Sequence, residues 1–311
     1  MTLTAVGHDV TMGAHLLRGE IEAADRALDA YARIAQETRQ PVFVWETLVW
    51  RGSRAVARGA FQEAEALIRE AYERGRRSIG YSDFVFAGQM YFLHMARGDT
   101  DDFGQSPVFF GEMMKASYAW APAVRAELAR VQASRNETEP ARRTLDDLAK
   151  ADFRDLPRDE HWLPAIGSFG SLACALEDNH RAALVYDLLA PYAELFTIHD
   201  LLRANSGSVA AMLGILAALL GRHGDAAAHF EAAIARETAM DARLAVLTTK
   251  AAYARLLLRA GDPGDRRRAL ELVDEANSGW AALGVRGHPT FVDECGELTA
   301  RRSNTAPSPK P

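Results

Sequence analysis

One short phrase returns along this chain at a nearly fixed interval, and that recurrence restricts the fold more than any other feature. The phrase is an apolar helix end, a turn of Gly or Asn beside a charged residue, and then an Ala-rich stretch. It reads LLRGEIEAADRAL, AVARGAFQEAEALI, LHMARGDTDDF, QASRNETEPARRTL, CALEDNHRAALVY, ALLGRHGDAAAHF and LLLRAGDPGDRRRALEL. Marked by its turn residue, it falls at Gly19, Gly59, Gly98, Asn136, Asp178, Gly221 and Gly261, with separations of 40, 39, 38, 42, 43 and 40 residues. A period near 40 signals one supersecondary unit copied along the chain.

The residues around each mark fit a helical hairpin. Gly or Asn supplies the left-handed backbone that ends the first helix. Five residues later come Ala24, Ala64, Ala141, Ala183 and Ala226, and seven residues earlier come Gly52, Ala129, Ser171, Gly214 and Ala254. Small residues at both places let two helices approach closely. Larger apolar residues follow Ala24, Ala64, Ala141 and Ala226 by four positions, as Leu28, Ile68, Leu145 and Phe230, and would fill the seam between units. One such pair cannot bury its apolar face alone, whereas a stack can. No long window alternates with β-branched enrichment, so the pattern is helical throughout. The expected fold is therefore all-α: a tetratricopeptide-like, right-handed solenoid of about seven helix–turn–helix repeats over residues 1–284. Residues 285–300 read as a cap or irregular segment and 301–311 as a disordered tail. Two irregularities are expected. Gly104 and Pro107 delay the second helix of the third unit to about Pro107, and GDPGDRRR stretches the seventh turn, moving its small residue to Ala269.

Composition narrows the function by exclusion. A net charge of −6 opposes direct nucleic-acid binding, which needs a concentrated positive patch. Cys174 and Cys295 are too few for a disulfide framework. The N-terminus lacks the pattern of a secretory signal, and the apolar stretch Val209–Leu220 is too short for a bilayer, so no membrane partner and a cytoplasmic location are expected. None of the four lysines follows a glycine, which rules out a phosphate-cradling loop, and HExxH, CxxC and GxSxG are absent. His223 and His229 fall on different helix faces, while His8 and His15 read as solvated or capping groups. The five tryptophans read as packing between units, and the Phe109–Met114 segment FFGEMM as core. No catalytic residue, cofactor or metal site is expected.

The concave face of such an array would be lined by the first helix of each pair. By register it comprises Glu46, Val49, Ser53, Val85, Gly88, Phe92, Ala126, Arg130, Ser168, Leu172, Ala211, Ile215, Ala251 and Arg255. This lining is apolar or small with isolated charges. It suits a peptide or helix of a protein partner, or a small effector, better than an acidic C-terminus.

Three stretches, DLLAPYAELF, GSVAAMLGILAALLGRHGDAAAHFEAAI and YARLLLRAGDPGDRRRALELVDEANSGWAALG, carry a family resemblance. They resemble the C-terminal helical-repeat region of bacterial LuxR-type, maltose-activator-like signalling ATPases and of adenylate-cyclase-associated ATPases. The resemblance implies a sensor and partner-binding arm. This chain lacks the P-loop, cyclase core and helix-turn-helix domain of those proteins, so no catalytic residue carries over. The expected function is a non-catalytic interaction or effector-sensing module in signalling or transcriptional regulation. The alternative is the regulatory arm of a truncated or split ATP-dependent regulator.

Overall fold

A computed structural model describes residues 2–98, 121–199, 202–260 and 263–285. Over these the chain is predominantly α-helical. The helices are α1 (Thr2–Arg18), α2 (Ile21–Thr38), α3 (Pro41–Arg58), α4 (Phe61–Gly75), α5 (Ser82–Arg97), α6 (Ala121–Ser134), α7 (Thr138–Leu148), α8 (Trp162–Ala175), α9 (Asn179–Leu189), α10 (Val209–Leu219), α11 (His223–Ala239), α12 (Arg243–Ala260) and α13 (Pro263–Leu283). Helices joined by the recurrent turn pack on one another as pairs: α1 on α2, α3 on α4, α6 on α7, α8 on α9, α10 on α11 and α12 on α13.

The turns share one hydrogen-bond pattern. At Gly59, which has φ +77°, the Gly59 amide reaches the Val56 carbonyl and the Ala60 amide reaches Ala55, each at 2.9 Å. This double bond caps the last carbonyls of a helix through one left-handed residue. Gly19, Gly221 and Asn136 repeat it. In the fifth pair the left-handed residue is Glu177 (φ 51°), not Asp178. Asp178 instead caps the next helix, its carboxylate accepting from the Arg181 amide at 3.1 Å. The mark therefore moves back by one residue, and so do its neighbours. Ala182 rather than Ala183 is the fully buried alanine of α9, and Gly170 rather than Ser171 gives α9 its close approach. A Cβ at Gly170 would lie 3.2 Å from Val185.

Elsewhere the small residues sit where close helix approach demands them. Ala64, Ala141, Ala226 and the shifted Ala269 are fully buried. A Cβ at Gly214 would come 2.7 Å from the Phe230 ring, so α10 and α11 touch through the missing side chain. The expected delayed helix at Pro107, the FFGEMM segment, Gly261 and the segments 286–300 and 301–311 lie outside the described residues.

One element departs from the helical pattern. Between α9 and α10 the chain forms an antiparallel hairpin of β1 (Phe196–His199) and β2 (Ala204–Ser208). Its register pairs Phe196 with Ser208, Ile198 with Asn205 and His199 with Ala204, with an irregularity between Phe196 and Ile198. Phe196, Thr197 and Ile198 are aromatic or β-branched residues that fit a pleated surface. β1 packs on α1 and α8, while β2 packs on α3, α10, α11 and α12. The first, middle and last pairs thus meet around one insertion.

The two ends of the array also touch directly. α3 packs against α12, and one apolar core joins Ala55, Ile68 and Leu93 to Leu247, Leu272 and Trp280. A Cβ at Gly59 would fall 2.7 Å from Leu283. Burying these faces against each other removes apolar surface from water at both ends of the array. No helix of the described residues is long and apolar enough to cross a membrane.

Candidate functional site

The hairpin is seated at its tip by side chains of α1, α3 and α5. The Leu202 carbonyl accepts from Ser53 Oγ and Gln89 Nε2, both at 3.2 Å, and Gln89 Nε2 also donates to the Val49 carbonyl at 2.8 Å. The Leu202 side chain lies over Gly88, where a Cβ would approach it to 2.5 Å. Arg203, held left-handed at φ 53°, reaches Asp9 at 3.0 Å and Glu46 at 3.9 Å, with its guanidinium 4.8 Å from the centre of the Trp50 ring. Trp50 Nε1 donates to Asp9 at 2.8 Å, and the Tyr31 hydroxyl donates to Glu46. Burial and the Glu46 charge push the Tyr31 phenol far above its ordinary range, so it stays a donor.

The hairpin is tied at its base by a carboxylate without a cation. Glu237 on α11 is fully buried and accepts from the Ser208 amide (3.1 Å), Ser208 Oγ (2.8 Å) and Thr249 Oγ1 (2.8 Å). Burial raises its pKa despite these three donors. Ser208 also caps α10 by accepting from the Ala211 amide at 3.1 Å.

Between tip and base the hairpin leaves a cavity of about 480 Å3. Its walls come from α3, α5, α6, α8 to α13 and both strands. Phe92, Met95, Met212, Ile215, Phe230 and Trp280 make it largely apolar. A more open hollow of about 640 Å3 lies between Gly59–Glu63, Arg97 and Leu283–Gly284. The central cavity is the better candidate because buried polar groups converge on it.

Those groups form two sets. On α5 and α6, Tyr91 donates to Glu127, and Arg130 binds both Glu127 oxygens at 2.6 and 3.0 Å and the Tyr91 oxygen at 3.0 Å. Burial opposes the Glu127 charge, but Arg130 and Tyr91 outweigh it and hold the carboxyl below its ordinary value. Glu127 in turn raises Arg130. On the hairpin, His199 Nε2 is hydrogen-bonded to Ser206 Oγ, and the His199 ring lies 5.2 Å from Phe92. Burial pushes His199 down to about 4, against the pull of Glu127. At neutral pH the imidazole is uncharged and a weak base, poorly matched to taking a proton from Ser206.

Of the expected concave residues, Gly88, Phe92, Arg130, Ser168, Ala211 and Ile215 line this cavity. Glu46, Val49 and Ser53 lie under the hairpin tip rather than in an open groove. Val85 is buried in the core beneath them, and Leu172 is fully buried in the core of the middle pairs. Arg255 is half-buried on α12, outside the cavity wall. Sequence reasoning missed Tyr91, Glu127, His199, Ser206 and Glu237, which carry no local motif and converge from separate units. Of the histidines weighed from sequence, His15 contacts Glu20 at 2.6 Å and His229 contacts Tyr186 at 3.0 Å. No group of three or more metal-ligating side chains is found among the described residues. No protein-family model matches this chain, and no curated protein matches it.

Proposed function

We propose that this chain is a non-catalytic, effector-sensing module built on a tetratricopeptide-like array, in which a small molecule occupies the central cavity. One observation carries the reading: the hairpin bridges the first, middle and last pairs and leaves between them a lined cavity of about 480 Å3. That size lies within the roughly 300–1,000 Å3 of small-molecule sites. A ligand there would touch both ends of the array at once. Its binding energy would favour the closed arrangement, which is how a repeat scaffold converts occupancy into shape. The peptide-in-groove alternative has less support, because the hairpin covers the part of the inner face that includes Glu46, Val49 and Ser53. A role in signalling or transcriptional regulation rests on the resemblance to the repeat regions of signalling ATPases.

The test is a thermal-shift screen of a chemically diverse small-molecule library against the full chain and a cavity-filled Ser168→Phe variant. The reading expects compounds that raise the melting temperature of the wild type and not of the variant. Equal shifts in both proteins, or none in either, would sink it.

A further inference from the structure

The cavity wall constrains the charge of what it can hold. Its ionised pair, Glu127 and Arg130, is internally neutralised, since both Glu127 oxygens already accept from the guanidinium. Glu237, the other acidic group on the wall, already accepts three hydrogen bonds from Ser208 and Thr249. No unspent cation faces an anionic ligand, and an anion would meet two carboxylates. A cationic ligand would have to compete with Arg130 for Glu127 or with the Ser208 and Thr249 donors for Glu237. Displacing any of these buried donors leaves a polar group unpaired.

The wall does leave neutral hydrogen-bonding capacity. His199 has no hydrogen bond among the described residues besides that to Ser206, so its Nδ1 is open. The Ser168 hydroxyl is likewise without a hydrogen-bond partner, and it adjoins Gly167, where a Cβ would sit 3.9 Å from Thr197 of β1. Whether Nδ1 donates or accepts depends on the tautomer set by Ser206. A hydroxyl or amide on a ligand satisfies either tautomer, whereas a carboxylate satisfies only one.

We propose that the central cavity takes an uncharged, predominantly apolar small molecule bearing one hydroxyl, amine or amide, placed at the Ser168, His199 and Ser206 side of the wall. This rests on the effector-sensing reading and adds the chemical class. Half-buried Phe92 supplies an aromatic face against which a flat ring system would pack.

Two fluorescent probes that differ by one group test it. N-phenyl-1-naphthylamine is neutral and carries one N–H; 1-anilinonaphthalene-8-sulfonate is the same skeleton with a sulfonate. The full chain should bind the neutral probe saturably at one site, and the sulfonated probe about 10-fold more weakly or less, as burial of an unpaired anion demands. Ser168→Phe and Ile215→Phe, each checked for unchanged helicity and cooperative melting, should abolish neutral-probe binding. His199→Phe should weaken it several-fold. Glu127→Gln frees the Arg130 charge and should bring the sulfonated probe to within about 2-fold of the neutral one. Equal or tighter binding of the sulfonated probe to the wild type overturns the charge assignment while leaving an occupied cavity. Failure of both probes to bind overturns the effector-sensing reading itself. Binding that survives both cavity-filled variants overturns the site.

Discussion

The helix pairs and the hairpin teach different things about how this chain is held together. In the pairs, each turn is set within a few residues: Gly59, Ala60, Ala55 and Val56 complete their own cap. In the hairpin, the contacts span most of the chain. Arg203 and Asp9 are 194 residues apart, Ser53 and Leu202 are 149 apart, and Gln89 and Leu202 are 113 apart. The pairs are local solutions repeated; the hairpin is a single non-local solution that couples them. Long-range contacts form only after loop closure, so the hairpin should be seated after the pairs it bridges.

The largest expected effect tests the packing of a pair. Gly214→Leu drives a side chain into the Phe230 ring and should cost roughly 4 kcal/mol in chemical denaturation, because a packed helix contact cannot make room for it. Wild-type stability in that variant would show that α10 and α11 do not meet through Gly214. Arg203→Ala comes next. The three partners are mostly buried, with 13% of the Arg203 and 20% of the Asp9 side chain exposed, so taking the cation away from Asp9 and Glu46 should cost about 2 kcal/mol. A double-mutant cycle with Asp9→Asn should return a coupling near 1 kcal/mol, and additivity would mean that the tip is not clamped by that pair.

Acidification separates the regions without changing their packing. His199 has a folded pKa near 4 against an ordinary value of 6.5, so the unfolded chain binds more protons between those two pH values. Stability is therefore full above about pH 6.5 and falls as the pH drops toward 4, by roughly 1–2 kcal/mol given the partial exposure of the ring. Glu237 acts in the opposite sense, since its raised pKa favours the folded protein at acid pH. Comparing wild type with His199→Gln isolates the histidine contribution: the acid slope should flatten. Identical slopes would place His199 in water.

The smallest effects fall on the turns. Gly221 has φ +73° and open space around it, so Gly221→Ala should cost only about 1 kcal/mol, through backbone strain alone. Glu177→Gly removes the same strain from a turn that tolerates it and should stabilise by about 0.5–1 kcal/mol, read as a rise in melting temperature.

This contrast explains what could be read in advance. The paired helices were legible because a turn residue and two small residues at fixed offsets are local chemistry. The fifth unit slipped by one position because Glu177 adopts a conformation usually left to Gly or Asn, while the more turn-like Asp178 serves as the cap. The hairpin stayed hidden because its strands are only four and five residues long, too short to show an alternation. Tyr91, Glu127, His199 and Ser206 could not be grouped, since nothing in their spacing records that α5, α6 and the hairpin converge.

By itself, the sequence determined that this protein is a series of helix pairs and where the pairs turn, because capping and close helix approach depend on residues a few positions apart. Only the tertiary structure decided that the ends of the series meet, that a hairpin occupies part of its inner face and that a cavity remains. Those outcomes depend on which apolar and charged surfaces find each other across more than a hundred residues, and no local pattern encodes that choice.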